Sequence, residues 1–233
     1  MSFFLAPKAR SPKFSSCLAA NPCIPLGGNH GISIWRTAPL GRCFRMSVTQ
    51  DQSYGQRKNK MDEDKNALLA AFPNIRNSAG RSMLYIGASA WRAVLLEDFR
   101  DWGWRIDVLE IFPVNTAFVA HAYRPRKVIE GDVRQADSLL TETYDAVVWW
   151  HGPEHIPRED LPATLASLEQ HAPLVILSCP VGSAPQGEIY GNPHEAHLWD
   201  VYPHDLENLG YSVKAFTRTS PGADDAILAW KIS

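Results

Sequence analysis

The stretch MLYIGASA at residues 83–90 is the clearest indication of the fold, because an apolar run of strand length leads directly into small residues. On either side of it, helical spacing predicts helices at 62–72 and 91–102, and an apolar run predicts a second strand at 106–111. Helices that alternate with short apolar strands predict a parallel sheet with right-handed crossovers.

The same alternation continues until the last two strands. Predicted helices lie at 113–121, 136–140, 158–171 and 203–209, and predicted strands lie at 127–130, 144–150, 174–179, 211–217 and 226–232. The last two strands are separated by the turn residues 220–222, which predicts an antiparallel pair. The sequence therefore predicts an α/β fold with a doubly wound, mostly parallel sheet and a C-terminal antiparallel hairpin. Ligands are expected at the carboxyl ends of its strands.

Three loops at predicted strand ends carry candidate ligand-binding residues. After the first strand, small residues would let a ligand approach the backbone at a helix N-terminus. Glu110 ends the second strand, where a carboxylate can accept both hydroxyls of a ribose. Asp132 follows the third strand, where a carboxylate can hold an adenine amino group, although an N-cap role explains it equally well. The candidate cofactor-binding residues in these loops are Gly87, Ala88, Ser89, Glu110, Asp132 and Val133.

These motifs, together with YDAVV at 144–148 and the closing hairpin, resemble those of class I S-adenosylmethionine-dependent methyltransferases over residues 80–233. The resemblance implies a Rossmann-like, seven-stranded methyltransferase sheet with S-adenosylmethionine as cofactor over the Gly87 loop. It also implies that Glu110 binds the ribose and Asp132 the adenine. The first motif departs from the family pattern, because Tyr85 stands where the family has an acid, and Ser89 and Trp91 stand at later glycine positions.

The loop WWHGPEH at 149–155 ends the fourth predicted strand, where methyltransferases shape the site of the methyl acceptor. Trp150 there is either a core residue or a further cofactor-binding residue. A general base is needed only when the acceptor must lose a proton early. The candidate bases are His155, His194 and His197, and the candidate acceptor-side residues are His151, Glu154 and Asn192. The same polar residues would equally serve to structure the rim of a cleft.

Other enzyme classes explain parts of the pattern less well. His151, Glu154 and His155 match the H-x-x-E-H string of inverted zinc proteases, but that motif needs a helix, which Gly152-Pro153 would break. We therefore expect no zinc, although His194 and His197 leave a metal site open. A hydrolase serine in the 87–90 loop would need several preceding strands, and a nicotinamide-binding enzyme would need a complete G-x-G-x-x-G. The signature of methylases that act on nucleobase amino groups is absent from the sequence.

The sequence leaves two functions open. One is methyl transfer to a small-molecule or protein acceptor. The other is a catalytically inactive methyltransferase-like domain that binds a nucleotide-like ligand or a partner protein. The sequence does not predict the oligomeric state.

The chain divides into a segment at residues 1–60 and a methyltransferase-like domain at 61–233. Residues 1–50 hold six basic residues and no acid, which predicts a disordered tail or an organelle transit segment. The rest has 17 basic and 25 acidic residues, which argues against a broad nucleic-acid-binding surface. Cys179 is the only cysteine after residue 60 and no apolar run reaches membrane-spanning length, so we expect a cytoplasmic protein, or one of an organelle matrix if the transit segment is real.

Overall fold

The computed structural model describes residues 33–37, 43–47, 52–89, 94–219 and 225–233. The chain forms two units, residues 1–53 and 54–233. In the first, strands β1 (Ser33–Thr37) and β2 (Cys43–Ser47) pair antiparallel, with Ser33 opposite Ser47. The sequence predicted no strands there, because no hydrophobic period in this segment extends beyond a few residues.

The second unit contains a seven-stranded sheet with helices along the chain between its strands. The helices are α1 (Gln52–Ala71), α2 (Val94–Asp101), α3 (Pro113–Ala122), α4 (Ala136–Leu139), α5 (Leu161–His171) and α6 (Pro203–Glu207). The strands are β3 (Ser82–Ile86), β4 (Arg105–Glu110), β5 (Lys127–Glu130), β6 (Ala146–Trp150), β7 (Leu174–Pro180), β8 (Ser212–Phe216) and β9 (Ala226–Ile232). The strand order is β5-β4-β3-β6-β7-β9-β8.

The pairing confirms the predicted doubly wound, mostly parallel sheet. Strands β3 to β7 pair parallel with one another, whereas β9 pairs antiparallel with both β7 and β8. Because parallel strands run the same way, the carboxyl ends of β3 to β7 meet at one edge of the sheet. The loops after these strands therefore form one continuous rim, which is where the candidate residues lie.

Side chains alternate between the two faces of the sheet and build two separate cores. On β3, Leu84 and Ile86 pack on the side of α4, α5 and α6, while Met83 and Tyr85 pack on the side of α1, α2 and α3. Strands that are covered on both faces are apolar throughout, as β6 is. Among the described residues, no helix is long and apolar enough to cross a membrane.

Element boundaries differ from the predicted ones mostly by one or two residues, and β5 and β9 agree at both ends. Helix α1 is the largest difference, since it begins at Gln52 rather than at residue 62. Its first half is polar and gives no hydrophobic period from which a helix start can be read. The predicted turn at 220–222 and the start of the predicted helix at 91–102 lie outside the described residues.

Candidate functional site

The loop after β3 turns sharply at Gly87, which adopts a left-handed conformation with φ of +75°. Its N–H donates to the carbonyl of Leu109 on β4 at 3.0 Å, and the N–H of Ser89 donates back to the Gly87 carbonyl at 3.1 Å. A Cβ atom at Gly87 would meet no described atom within 4 Å. The turn therefore presents bare backbone to space that no described atom fills, while Ala88 and Ser89 beside it are buried.

Glu110 is the last residue of β4 and its side chain is buried. Its Oε1 accepts a hydrogen bond from the Phe112 N–H at 2.8 Å and from Asn115 Nδ2 at 3.4 Å, so the carboxylate is held beside the start of α3. Its own carbonyl accepts from the N–H of Gly131 at 3.0 Å. Backbone hydrogen bonds thus join the three loops that the sequence singled out into one surface.

Asp132 caps the short 3₁₀ turn that follows β5. Its Oδ1 accepts from the N–H of Arg134 at 2.9 Å, and the Arg134 guanidinium binds the same carboxylate while reaching Asp160 at 3.0 Å. Burial would raise the pKa of Asp132, but the hydrogen bonds from Arg134 and the nearby His194 hold it below its ordinary value. Asp132 therefore fills the N-cap role that the sequence offered as an alternative. The neighbouring Val133 packs into the core.

Trp150 lies in the core at the end of β6 and is fully buried. Its indole N–H donates to Asp64 Oδ2 on α1 at 3.3 Å. This position indicates that Trp150 packs the sheet against α1 and does not offer a ring face for a ligand to stack on.

Asp64 is the centre of a buried polar network that the sequence analysis missed. Arg218 donates to both of its oxygens, from Nε at 2.7 Å and from Nη2 at 2.8 Å, and both residues are buried. Burial alone would raise the pKa of Asp64, but its interactions with His151 and Arg218 hold that pKa below the ordinary value. An acid four residues before Leu68, on the buried side of α1, was the available signal in the sequence.

His151 connects this network to the polar residues of the loop after β6. The residue follows β6 with a positive φ of 51°, and its ring is nine-tenths buried. His151 Nε2 lies 3.0 Å from Arg218 Nη2 and 3.3 Å from Asp64 Oδ2, so this nitrogen either accepts from Arg218 or donates to Asp64, according to the tautomer of the ring. The other ring nitrogen, Nδ1, lies 3.4 Å from Glu154 Oε1.

Glu154 lies in a 3₁₀ turn, Pro153–His155, and meets two more histidines. His155 Nε2 lies 3.7 Å from Glu154 Oε1, and His197 Nε2, from a distant loop, lies 3.9 Å from the same oxygen. The two imidazole rings pack edge to face with their centroids 4.9 Å apart. The string H-x-x-E-H thus forms no helix, as predicted, but its Glu154 and His155 find a third partner in His197.

The third candidate base, His194, lies elsewhere on the rim. It is exposed and close enough to Asp132 to lower the pKa of that carboxyl, which places it beside the Asp132 loop. Asn192 caps the 3₁₀ turn Pro193–Glu195: its Oδ1 accepts from the His194 N–H at 3.1 Å, and its Nδ2 donates to Glu195 at 3.4 Å. The structure therefore indicates a loop-shaping role for Asn192.

Tyr85, in the place of the family's acid, is fully buried on β3. Its ring packs against Phe99 of α2 with centroids 6.2 Å apart. A phenol in this position cannot supply the negative charge that the acid would bring to the rim at neutral pH. Trp91, at a later glycine position, lies outside the described residues.

The rim therefore has two chemically different halves. One half, around Gly87 and Glu110, offers bare backbone, a nearby helix start and a buried carboxylate, which suit the hydroxyls and polar edges of a nucleoside. The other half, around His151 and Glu154, offers imidazoles and a buried carboxylate, which suit proton transfer or metal coordination.

No protein-family model matches the sequence, and a search among curated proteins finds no significant match. Solved structures do match. A magnesium protoporphyrin IX methyltransferase from Synechocystis with bound SAH covers 80% of this chain and 90% of its own, at 16% identity and a TM-score of 0.56. A SAM-dependent methyltransferase from Archaeoglobus fulgidus covers 72% and 94%, at 20% identity and a TM-score of 0.50.

A small RNA methyltransferase also matches, with 16% identity and a TM-score of 0.51 over 73% of this chain and 25% of its own. The fold of this chain is thus that of the class I S-adenosylmethionine-dependent methyltransferases. The names of the matching structures refer to different substrates, so the shared fold leaves the acceptor open.

Proposed function

We propose that this chain binds S-adenosylmethionine and transfers its methyl group to a small-molecule or protein acceptor. The observation that carries the proposal is the pairing of Gly87 with Glu110. Among the described atoms, none lies within 4 Å of a Cβ placed on Gly87, and a hydrogen bond from Gly87 to Leu109 places the turn next to the buried Glu110. Dinucleotide-binding folds use the same arrangement to hold a ribose and the pyrophosphate attached to it.

The described residues fit the ribose of this cofactor. The Gly87 turn leaves space for the methionine and ribose, and the Glu110 carboxylate would accept the ribose hydroxyls. S-adenosylmethionine supplies a methyl group that is already activated. What the chain must add is alignment, because correct placement of the two reactants supplies much of the rate in such transfers.

The acceptor is proposed to lie over the loops after β6 and β7. His151, Glu154, His155 and His197 all lie there, on the same edge of the sheet as Gly87. One carboxylate and three imidazoles lie close together in these loops, which suits a small and polar acceptor. The excess of acids over bases after residue 50 disfavours a long nucleic acid.

A second function, binding without catalysis, is favoured by one observation. Tyr85 replaces the acid that the family resemblance leads us to expect and is packed into the core. A domain that holds a nucleotide-like ligand but no longer aligns a methyl group would tolerate this change. The two functions differ in whether S-adenosylmethionine itself binds.

Calorimetric titration with S-adenosylmethionine and with its demethylated product tests the proposal. Two variants sharpen it, Gly87→Ala and the matched control Gly80→Ala, because both glycines have positive φ and open space around the Cβ position. Both variants carry a similar backbone strain of about 1–2 kcal/mol. We expect the wild type and Gly80→Ala to bind alike, and Gly87→Ala to bind at least about tenfold more weakly.

Two results would count against the proposal. If neither ligand binds the folded wild type, the methyltransferase function fails and the binding-only function remains. If Gly87→Ala and Gly80→Ala bind equally well, the cofactor does not lie over the Gly87 turn.

A further inference from the structure

Three side chains that could ligate a metal converge after β6. The candidate ligand atoms of Glu154, His155 and His197 all lie within 4.8 Å of one another. Glu154 is buried, and the side chains of His155 and His197 are 12% and 11% exposed. The cluster is therefore shielded, yet two of its members still reach the solvent side of the rim.

Backbone carbonyls fix the orientation of both imidazoles. His155 Nδ1 lies 3.1 Å from the carbonyl of Ala196, and His197 Nδ1 contacts the carbonyl of Ala184. A carbonyl oxygen only accepts hydrogen bonds, so Nδ1 carries the proton in each ring. In the neutral imidazoles, both Nε2 lone pairs then lie on the side of Glu154 Oε1. A carbonyl that binds the second ring nitrogen is what orients metal-ligating histidines in general.

A third imidazole lies beside the Glu154 carboxylate. His151 Nδ1 is 3.4 Å from Glu154 Oε1, so this one oxygen faces the rings of His151, His155 and His197. Residues around the ligands of a metal centre commonly orient those ligands.

The donor set suits a cation. Glu154 is a buried carboxylate, and two imidazole nitrogens face its Oε1 at 3.7 and 3.9 Å. Buried carboxylates are commonly found in ion pairs or as metal ligands. One divalent cation could bind the carboxylate and both nitrogens together.

We propose that Glu154, His155 and His197 form a site for a divalent transition metal, with Zn²⁺ as the best match. Two imidazoles and one carboxylate are a donor set of catalytic zinc sites, in which a fourth position stays open. Zinc holds such donors at about 2.0–2.2 Å, hence about 3.3–3.6 Å apart. Modest side-chain rotations would bring the observed separations to these values.

This proposal replaces the sequence-based expectation of no zinc. That expectation was based on the H-x-x-E-H string, in which His151 and His155 would face the same metal only if the string formed a helix. The structure instead brings His197, 42 residues after His155, to the same carboxylate. If the proposed methyl transfer is correct, an acceptor oxygen or sulfur bound at the open position would lose its proton more easily. The metal site itself does not depend on that function.

Elemental analysis of full-length protein purified without chelator gives the first test. We expect close to one equivalent of zinc or another divalent transition metal per chain. Metal-free protein is then titrated with Zn²⁺ against a chromophoric chelator, and with Co²⁺ as a visible probe of four-coordinate geometry. Removal of any one ligand in His155→Ala, His197→Ala or Glu154→Gln should weaken Zn²⁺ binding by more than about 100-fold.

His204→Ala is the matched control, because His204 is an exposed histidine on α6. It should bind Zn²⁺ as the wild type does. If His155→Ala or His197→Ala fails to fold, the Co²⁺ spectrum of the wild type decides by itself, since a spectrum of hydrated Co²⁺ would overturn the site. Failure of the wild type to bind Zn²⁺, or equal binding by all folded variants, would also overturn it. S-adenosylmethionine binding by the metal-free protein is measured separately, so failure of the metal site and failure of the proposed function are distinguishable.

Discussion

The two halves of the rim differ in how far along the chain their contacts reach. Around Glu110 and Asp132, each carboxylate accepts a hydrogen bond from the residue two positions further along the chain, Glu110 from Phe112 and Asp132 from Arg134. On the acceptor side, Asp64 meets Arg218 across 154 residues, and His155 meets Ala196 across 41. In the half around Gly87 and Glu110, local contacts orient the carboxylates and the pairing of β3, β4 and β5 brings the loops together. The half around His151 and Glu154 depends instead on side-chain contacts between distant parts of the chain.

This difference has an energetic consequence. The ion pair of Asp132 with Arg134 is partly exposed, and ion pairs of this kind contribute little to stability. Buried polar networks are costly to interrupt, because the group left behind loses its partner in a medium of low dielectric constant. Substitutions on the acceptor side should thus affect folding, and substitutions on the cofactor side should affect mainly binding.

Among these variants, we expect Asp64→Ala to lose the most stability. Removing this carboxylate leaves the Arg218 guanidinium buried without its counter-charge, which should lower the free energy of unfolding by about 3–5 kcal/mol. Urea denaturation of wild type and variant measures the change. The control is Asp98→Ala, which breaks the half-exposed ion pair of Lys65 with Asp98 and should cost less than about 1 kcal/mol. Equal effects of the two substitutions would contradict the asserted role of the buried network.

The pH dependence of stability should follow the lowered pKa of Asp64. A carboxyl whose pKa is depressed on folding stabilises the protein above its unfolded pKa, and this contribution is lost as the pH falls through the folded-state pKa. Urea denaturation below pH 5 should show a steeper loss of stability in the wild type than in Asp64→Asn, provided that the variant folds. Parallel curves would show that Asp64 does not titrate as described.

An intermediate effect is expected for Asp132→Ala. The loss of the N-cap should lower the free energy of unfolding by about 1 kcal/mol. The affinity for S-adenosylmethionine should fall less than in Glu110→Ala, because an adenine edge is also held by backbone and stacking contacts. Arg134→Ala is the control, since it removes the ion pair but keeps the capped N–H. Thermal melts and calorimetry measure both quantities. An affinity loss in Asp132→Ala larger than that in Glu110→Ala would reverse the proposed roles.

The smallest expected effect is that of removing the N-terminal segment. Deletion of residues 1–51 keeps all of α1, and deletion of 1–60 keeps Asp64 and Leu68 in place. Both truncated proteins should melt within error of the full chain, whereas deletion of 1–71 should destabilise the domain by removing these two buried residues. A drop of several degrees on deleting 1–51 would show that this segment stabilises the domain.

The contrast also shows what the sequence could predict. The sheet, its order of helices and strands and the loops of Gly87, Glu110 and Asp132 were predictable, because apolar runs and turn residues are local signals. The start of α1 was not, since its polar first half has no hydrophobic period. The contacts of Asp64 with Arg218 and of Glu154 with His197 could not be predicted either, because residues so far apart in the sequence have no periodic spacing that would indicate a contact.

Titration of Glu110→Ala with S-adenosylmethionine measures whether the cofactor binds over Glu110. Two charge-assisted hydrogen bonds to the ribose would be lost, which should weaken binding by about 2–4 kcal/mol, or roughly thirty- to a thousandfold. Glu110→Gln should lose less, because its amide oxygen still accepts a hydrogen bond. Glu130→Ala is the control, since Glu130 ends β5 directly beside Glu110 and should leave the affinity unchanged. Unchanged affinity in a folded Glu110→Ala would contradict the placement of the cofactor over this half of the rim.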